Sequence, residues 1–584
     1  MPAALTRRQV LSLAGVGSAN LRAQGVASRG VRAQPRDRPS GLPFGAHFQD
    51  VARDAGLTHP TIYGSPTNPR YILETIGCGA AFVDYDNDGW VDIFVLNGRT
   101  LDRVPEGATN RLYRNNRDGT FTDVTEQAGL VRYGWASAVC VGDYNNSGYD
   151  DLFVTYWGQN VLYRNNGDGS FTDVTQEAGL IRPDVRWGSG CTFVDYNRSG
   201  HLDLFVANYL EFGFEDVPLP GSSSVCVWNG VPVVCGPRGL RRSHHLLYRN
   251  NGDGTFTDVS EQSGIAAAKD SYALTAVAAD FDSDGWQDIF VACDSSPSLL
   301  FRNNGDGTFT EEALERGCAV SEDGAEQAGM GVAVGDYTGS GSLDLFKTHF
   351  FDDTHGLYRN DGQGYFEDVT LRSGIGVETR YTGWGAGFAD FDNSGLQDIF
   401  LVTGSVYPQL EAEFERYPAA TPSVLFRNLG NGRFEQLLHE AGEAVQVPRC
   451  SRGCAFGDFD NDGDVDILIV NLNGPPSLLR NDLSGGGNWL KVKLFGTESN
   501  RGAVGATVVA RYGGRRQAQV VLSQASFHSA NDSRLHFGLG AALSADLEVR
   551  WPNGRTESVP EVAANALVRI EEGSGVVDRR PRLE

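Results

Sequence analysis

The chain is built from short apolar runs broken by clusters of aspartate, asparagine and glycine. DIFVLNG, DLFVTYW, DLFVANY, DIFVACD, DLFKTHF, DIFLVTG and DILIVNL each begin at the last aspartate of such a cluster. They are strand-length and rich in β-branched and aromatic residues, so each predicts a β-strand. A second stretch, LYRNNRDGTFTDVTEQAGL from Leu112, returns from Leu162 and Leu247, with diverged forms from Leu300, Leu357 and Leu425. Its Asp-Gly pair between two apolar runs predicts a hairpin. Each repeat is therefore a few antiparallel strands joined by tight turns. One such unit cannot bury both its faces alone, and units of about fifty residues with four short strands suit propeller blades.

The polar clusters form a repeat of their own. DYDNDGWVD starts at Asp84, DYNNSGYDD at Asp143, DYNRSGHLD at Asp195 and DFDSDGWQD at Asp280. DYTGSGSLD follows at Asp336, DFDNSGLQD at Asp390 and DFDNDGDVD at Asp458. Every copy keeps aspartate at positions one and nine and glycine at six. Seven loops predict seven blades. FQDVARDAGL, from Phe48 to Leu57, matches FTDVTEQAGL but has no hairpin before it, and LLRNDLSGGG from Leu478 has no FTDV stretch after it. An N-terminal strand is thus expected to complete the last blade and close the ring, removing most exposed strand edges.

Like charges at that density call for a cation. Calcium takes six to eight oxygens. Side chains at positions one, three and five can converge on one point while the chain turns, and glycine at six permits a positive-φ bend. Position nine then closes the cage. An EF-hand would need an acid at position twelve, where this chain has Val95 and Val291, so the loops are of a shorter, strand-flanked kind. The candidate ligands are Asp84, Asp86, Asp88 and Asp92; Asp143, Asn145, Ser147 and Asp151; Asp195, Asn197, Ser199 and Asp203; and Asp280, Asp282, Asp284 and Asp288. Asp336, Thr338, Ser340 and Asp344 follow, then Asp390, Asp392, Ser394 and Asp398, and finally Asp458, Asp460, Asp462 and Asp466. Up to seven calcium ions are expected. The loops at Asp84, Asp280 and Asp458 have four carboxylates each and should bind best, and the Asp336 loop worst.

Composition narrows the partners. A formal net charge of −25 repels phosphate backbones, so nucleic acid is not expected. The first residues, MPAALTRRQVLSLAGVGSANLRAQ, read as an export signal of the twin-arginine type, and no run is long enough for a membrane span. The expected location is the periplasm, cell surface or medium, and the expected state is a monomer. Export permits disulfides. Of nine cysteines, Cys226 and Cys235 share an irregular insertion at 211–243 and could staple it, while Cys450 and Cys454 are also close in sequence. The expected organisation is an export signal and linker at 1–30, a propeller at 44–484, a β-rich domain at 485–573 and a tail at 574–584.

The loops, GWGAGFADFDNSG from Gly383 among them, resemble FG-GAP/VCBS repeats. NRGAVGATV (Asn500 to Val508), SRLHFGLG (Ser533 to Gly540) and VRWPNGRTE (Val549 to Glu557) resemble the ASPIC/UnbV domain of the cartilage acidic protein family. The resemblance implies an all-β fold, a seven-bladed β-propeller with calcium-binding loops plus a small C-terminal β-rich domain. It implies an exported calcium-binding protein and leaves activity open. The sequence has no HExxH, GxSxG, phosphate-binding glycine loop or CxxC pair, and no catalytic residue is assigned. Tyr156, Trp157, Asn208, Tyr209, His349 and Tyr407 follow loop-bearing strands and are candidates for one recognition surface. The expected function is a module that binds an extracellular protein or glycan. The alternatives are an enzyme of secondary-metabolite maturation working in the propeller funnel, and a structural envelope protein.

Overall fold

The computed structural model describes residues 28–269 and 271–581. The twin-arginine stretch lies outside the described residues. Among those residues the repeats form five four-stranded antiparallel sheets and one eight-stranded sheet, in which two four-stranded units are joined where Arg186 and Trp187 pair with Gly158 and Trp157. The first unit is Ala80–Val83, Asp92–Val95, Arg111–Asn115 and Phe121–Asp123, paired in that order. The last is Ser451–Gly457, Asp466–Asn471 and Ser477–Asn481, completed by Phe48–Asp50, with Phe48 opposite Asn481. The N-terminal strand thus closes the last unit, because the FQDV stretch supplies the apolar edge that the chain lacks after Asn481. Between residues 31 and 43 the chain crosses two neighbouring units: Val31 N–H donates to Asp352 O, Gln34 N–H to Gly376 O, and the Arg427 guanidinium to Leu42 O.

Two repeated contacts join each unit to the next. The aromatic at loop position two packs on the FTD-type phenylalanine of the following unit, as Tyr85 on Phe171, Tyr196 on Phe309 and Phe281 on Phe366. The buried asparagine of the following unit bonds to that aromatic's carbonyl, as Asn165 to Tyr85 O and Asn303 to Tyr196 O, both at 2.8 Å. Phe459 makes both contacts back to the first unit, through Phe121 and Asn115. The ring is closed by the same chemistry that builds it. Its inner strands crowd so tightly that a Cβ on Gly331 would lie 2.1 Å from Trp384 O, which explains the Gly- and Ala-rich inner strands.

The C-terminal domain is two four-stranded sheets. One contains a parallel pair, Asn488–Phe495 with Ala566–Glu571. Residues 574–584, expected as a tail, contain the strand Gly575–Pro581, paired antiparallel with Ala566–Glu571. Val576 and Val577 stay substantially exposed at this sheet edge, so the strand shows no alternation by which the sequence could mark it.

The segment 521–534 leaves this domain and fills the axis of the ring. It meets an inner strand, or the residue at its edge, in every unit: Ala530 bridges Ala81, Val139 N–H donates to His528 O, and Cys191 N–H donates to Gln524 Oε1. His528 Nε2 bonds to Leu274 O, Ser526 bridges Val332, Phe527 packs on Trp384, and Cys454 Sγ bonds to Ser526 Oγ. The opposite end is capped by the 211–243 insertion, where Cys226 and Cys235 are disulfide-bonded. Trp228 of the insertion packs on Phe351 and Tyr417, and Phe212 on Trp157, Trp187 and Tyr71. Between plug and cap a cavity of about 30 Å³ remains, lined by Leu274, Met330, Trp384 and Tyr407. That is room for no more than a water or so.

Candidate metal centres on the domain-facing side of the ring

Each polar cluster links the first two strands of its unit. In every one the N–H of glycine six donates to the Oδ2 of aspartate one, from 3.0 Å for Gly89 to Asp84 down to 2.6 Å for Gly395 to Asp390. These glycines have φ of 77° to 97°, the left-handed bend expected of them. Position four is also left-handed in each loop, which suits the Asn found there in Asn87, Asn146, Asn393 and Asn461. Aspartate nine accepts the backbone N–H of the third-strand asparagine, as Asp92 from Asn115 and Asp288 from Asn303. The loop therefore holds its shape through backbone donors, and its remaining carboxylate oxygens converge.

Three groups bring positions one, three and nine together, with one ligand oxygen from each within 4.8 Å of the others: Asp84, Asp86 and Asp92; Asp280, Asp282 and Asp288; and Asp458, Asp460 and Asp466. Each group holds one buried oxygen with no hydrogen-bond partner: Asp84 Oδ1, Asp282 Oδ1 and Asp460 Oδ1. Burial pushes the Asp92 carboxyl up to about 9 and that of Asp84 up to about 6. Burial and Asp462 push Asp460 up to about 8. Such crowding of buried carboxylates fits a hard, oxygen-seeking divalent cation.

Position five is not gathered into these groups. Asp88, Asp284 and Asp462 accept the N–H of Trp90, Trp286 and Asp464, and Asp88 also pairs with Arg117 at 2.7 Å. The other four loops bring no third carboxylate into such a group and bond largely within themselves, although Asp203, Asp344 and Asp398 each keep one buried Oδ2 without a partner. The hydroxyls of Ser147, Ser199, Ser340 and Ser394 donate to Asp143, Asp195, Asp336 and Asp390. Asn145 and Asn197 accept the same serines' N–H groups, Thr338 donates to Asp336, and Asp392 accepts Ser394 N–H. Asp151, Asp203, Asp344 and Asp398 each accept the N–H of a third-strand asparagine.

The C-terminal domain covers this face of the ring. Ala518 N–H donates to Asp336 Oδ2, Arg515 to Ser394 O, and His536 Nε2 bonds to Asn393 Oδ1. The Lys491 ammonium pairs with Asp458, and Arg534 donates to Asp458 O and Asn461 Oδ1. Burial pushes the Asp458 carboxyl up, but Lys491 and Arg534 outweigh it and hold it below the usual carboxylate range. The Asp458 group thus already has a protein cation on one ligand, which its four carboxylates could not reveal in sequence.

The six recognition candidates end or follow the second strands of their units, at the ends away from the polar loops. Tyr156, Asn208, Tyr209, His349 and Tyr407 are buried, and Trp157 is half-buried with its indole N–H on Phe212 O. Tyr209 donates to Asp294, Asn208 to His244 O, and Tyr156 accepts from Asn110. His349 bonds through Nδ1 to Thr354 O. Trp157 packs on Phe212 of the insertion and Tyr407 lines a small cavity with Val234, and the six do not form an open surface. The residues that sequence reasoning missed are the bridging asparagines. The signal that could have found them is that the asparagine after the arginine recurs in all seven units, while the residue after it becomes Asp361, Leu429 and Asp482 in three.

Matches to known proteins follow the same division. The FG-GAP-like repeat model matches residues 84–154, 143–206, 239–291 and 280–346, and the ASPIC and UnbV model matches 496–577. Cartilage acidic protein 1 of Homo sapiens is 25% identical over 398 residues, covering 66% of this chain and 53% of its own length. Its Xenopus tropicalis counterpart is 28% identical over 295 residues, 48% of this chain and 42% of its own. The chain thus spans about half the length of the curated relatives it matches. A solved structure titled "YCF48 bound to D1 peptide" overlaps 76% of this chain and 99% of that one at 10% identity and a TM-score of 0.38, too loosely to bear on function.

Proposed function

We propose that this chain, whose repeats match the FG-GAP-like repeat model and whose C-terminal part matches the ASPIC and UnbV model, is an exported binding module whose calcium ions lock the ring to the C-terminal domain. The observation that carries this is the convergence of three carboxylates in each of the three acidic groups, with one buried oxygen in each left without a hydrogen-bond partner. A buried acceptor without a donor costs free energy, and a divalent ion would supply the missing partner in all three. Asp84 and Asp86 with Asp92, and Asp280 and Asp282 with Asp288, would hold two of the ions. Asp458, Asp460 and Asp466 would hold a third in competition with Lys491. The bound ions supply positive charge only. The chain's own loops supply shape, and the C-terminal domain supplies the lid that excludes water.

The plug fills the ring axis, so catalysis in an open funnel loses its site there. Binding at the opposite, insertion-bearing face is the better reading. Tyr133, Ile181, Val185 and Phe214, on connections between strands and on the insertion, are exposed by 54%, 53%, 63% and 40%. An extracellular protein or glycan is the partner class proposed. The Cys226–Cys235 disulfide supports an oxidising compartment, and no helix among the described residues is long and apolar enough to cross a membrane.

The test is a thermal melt across a calcium titration. Asp84→Ala should remove a clear part of the calcium-dependent rise in Tm. Asp336→Ala should remove little of it, because Asp336 already accepts four donors from Ser340, Gly341 and Ala518. A bound ion at a hundred times its Kd is worth about 2.7 kcal/mol. Equal calcium dependence in the two variants, or none in the unmodified chain, would sink the reading.

A further inference from the structure

A cleft of about 290 Å³ runs between the first two units of the ring and the C-terminal domain. Five cationic side chains line it against three carboxylates, Asp84, Asp150 and Asp532, in a chain whose net charge is −25. Arg534 is committed to Asp532 at 2.7 Å, and Arg580 to Asp578 at 3.1 Å. The other three, Lys493, Arg501 and Arg569, make no ion pair with a carboxylate among the described residues. Lys493 donates only to the neutral Ser533 hydroxyl, at 2.6 Å. The Arg569 guanidinium is stacked 4.3 Å from the Phe495 ring centroid, and its buried Nε has no hydrogen-bond partner. Arg569 is thus held in place with an unused donor, beside two further unpaired cations.

We propose that this cleft binds a small organic carboxylate. A planar guanidinium fork matches a carboxylate in two parallel hydrogen bonds. Phe82, Val504 and Leu567 in the same lining give an apolar wall for a ring or short carbon body, which a bare inorganic anion would not use. The volume is at the small end of ligand cavities, about 300–1,000 Å³. A polyanion is excluded twice over, by the narrow space between two domains and by the field of an acidic protein. The site adjoins the first acidic group, since Asp84 lines the same cleft, but its three cations without an ion pair all belong to the C-terminal domain and none is a metal ligand.

The experiment is calorimetric titration of the full chain in calcium with glucuronate, benzoate and inorganic sulfate. At least one of the two carboxylates should bind more tightly than sulfate. Arg569→Gln and Arg501→Gln should each weaken that binding by about tenfold. Arg433→Gln, which breaks only an exposed pair with Asp37 in another unit, should leave it unchanged. Circular dichroism checks the fold of each variant. Arg501 is exposed, so its variant decides the question even if loss of the Arg569 stack impairs folding. The proposal is overturned if neither carboxylate binds, if sulfate binds as tightly, or if folded Arg501→Gln binds like the unmodified chain.

Discussion

Asn303 and Asn304 are neighbours in one RNN triplet, yet replacing them with alanine should have very different consequences. Asn303 is 1% exposed. Its Nδ2 donates to Tyr196 O of the preceding unit at 2.8 Å and to Gln287 O of its own loop at 3.2 Å. Asn303→Ala leaves two buried carbonyls without donors, at about 1–3 kcal/mol each, so the loss should be about 2–6 kcal/mol. Asn304 is exposed and bonds to Thr308 and Thr310 across its own turn, where water replaces what alanine removes. Its loss should stay below about 1 kcal/mol. Asn303→Asp should be worse than alanine, since it sets a buried carboxylate against two carbonyl oxygens. The assay is denaturant unfolding at fixed calcium, followed by tryptophan fluorescence. If Asn303→Ala and Asn304→Ala unfold at the same midpoint, the asparagine does not stitch the units and the account of ring closure fails.

Three further outcomes are expected. The His245 ring accepts Asn208 N–H at Nδ1 and bonds Ser271 through Nε2, and burial, with His244 adding to it, holds it down to about 4. An unfolded histidine titrates near 6.5, so between about 6.5 and 4 the unfolded chain binds the extra proton and stability falls as pH falls, by about 3 kcal/mol in all. Urea midpoints against pH should therefore fall less steeply in His245→Gln than in the unmodified chain, and parallel slopes would contradict this. Phe527, fully buried with its ring 5.0 Å from that of Trp384, anchors the plug. Phe527→Ala should cost about 3–5 kcal/mol and speed proteolysis at the exposed residues 484–486, whereas Leu543→Ala, at 75% exposure, should change neither. The loop ranking is the remaining expectation, with Asp84→Ala losing calcium-dependent Tm and Asp336→Ala keeping it.

The sequence by itself determined the unit. Strand length, the Asp-Gly hairpin, the glycine at loop position six and the FQDV stretch at the start are local features. Each is set by the backbone's own preferences and by what a four-stranded sheet must bury. The same local chemistry singled out the Asp84, Asp280 and Asp458 loops, because counting carboxylates in nine residues needs no tertiary contact. Only the tertiary structure decided what meets those units. The repeats keep the asparagine at Asn303 in all seven units and vary the one at Asn304, but only the structure shows that the first turns toward a neighbouring unit. Asp88 looks like a ligand until Arg117, from the unit's own hairpin, draws it away. Asp458 looks like the best of ligands until Lys491, from the C-terminal domain, arrives beside it. Tyr209 and His349 read as surface residues until the fold buries both completely. A ring with an axis invites a ligand, but the segment 521–534 fills that axis through one contact per unit, each with a partner far away in the chain. Those contacts depend on how a closed ring and a second domain fit together, and no periodicity in the sequence records that fit.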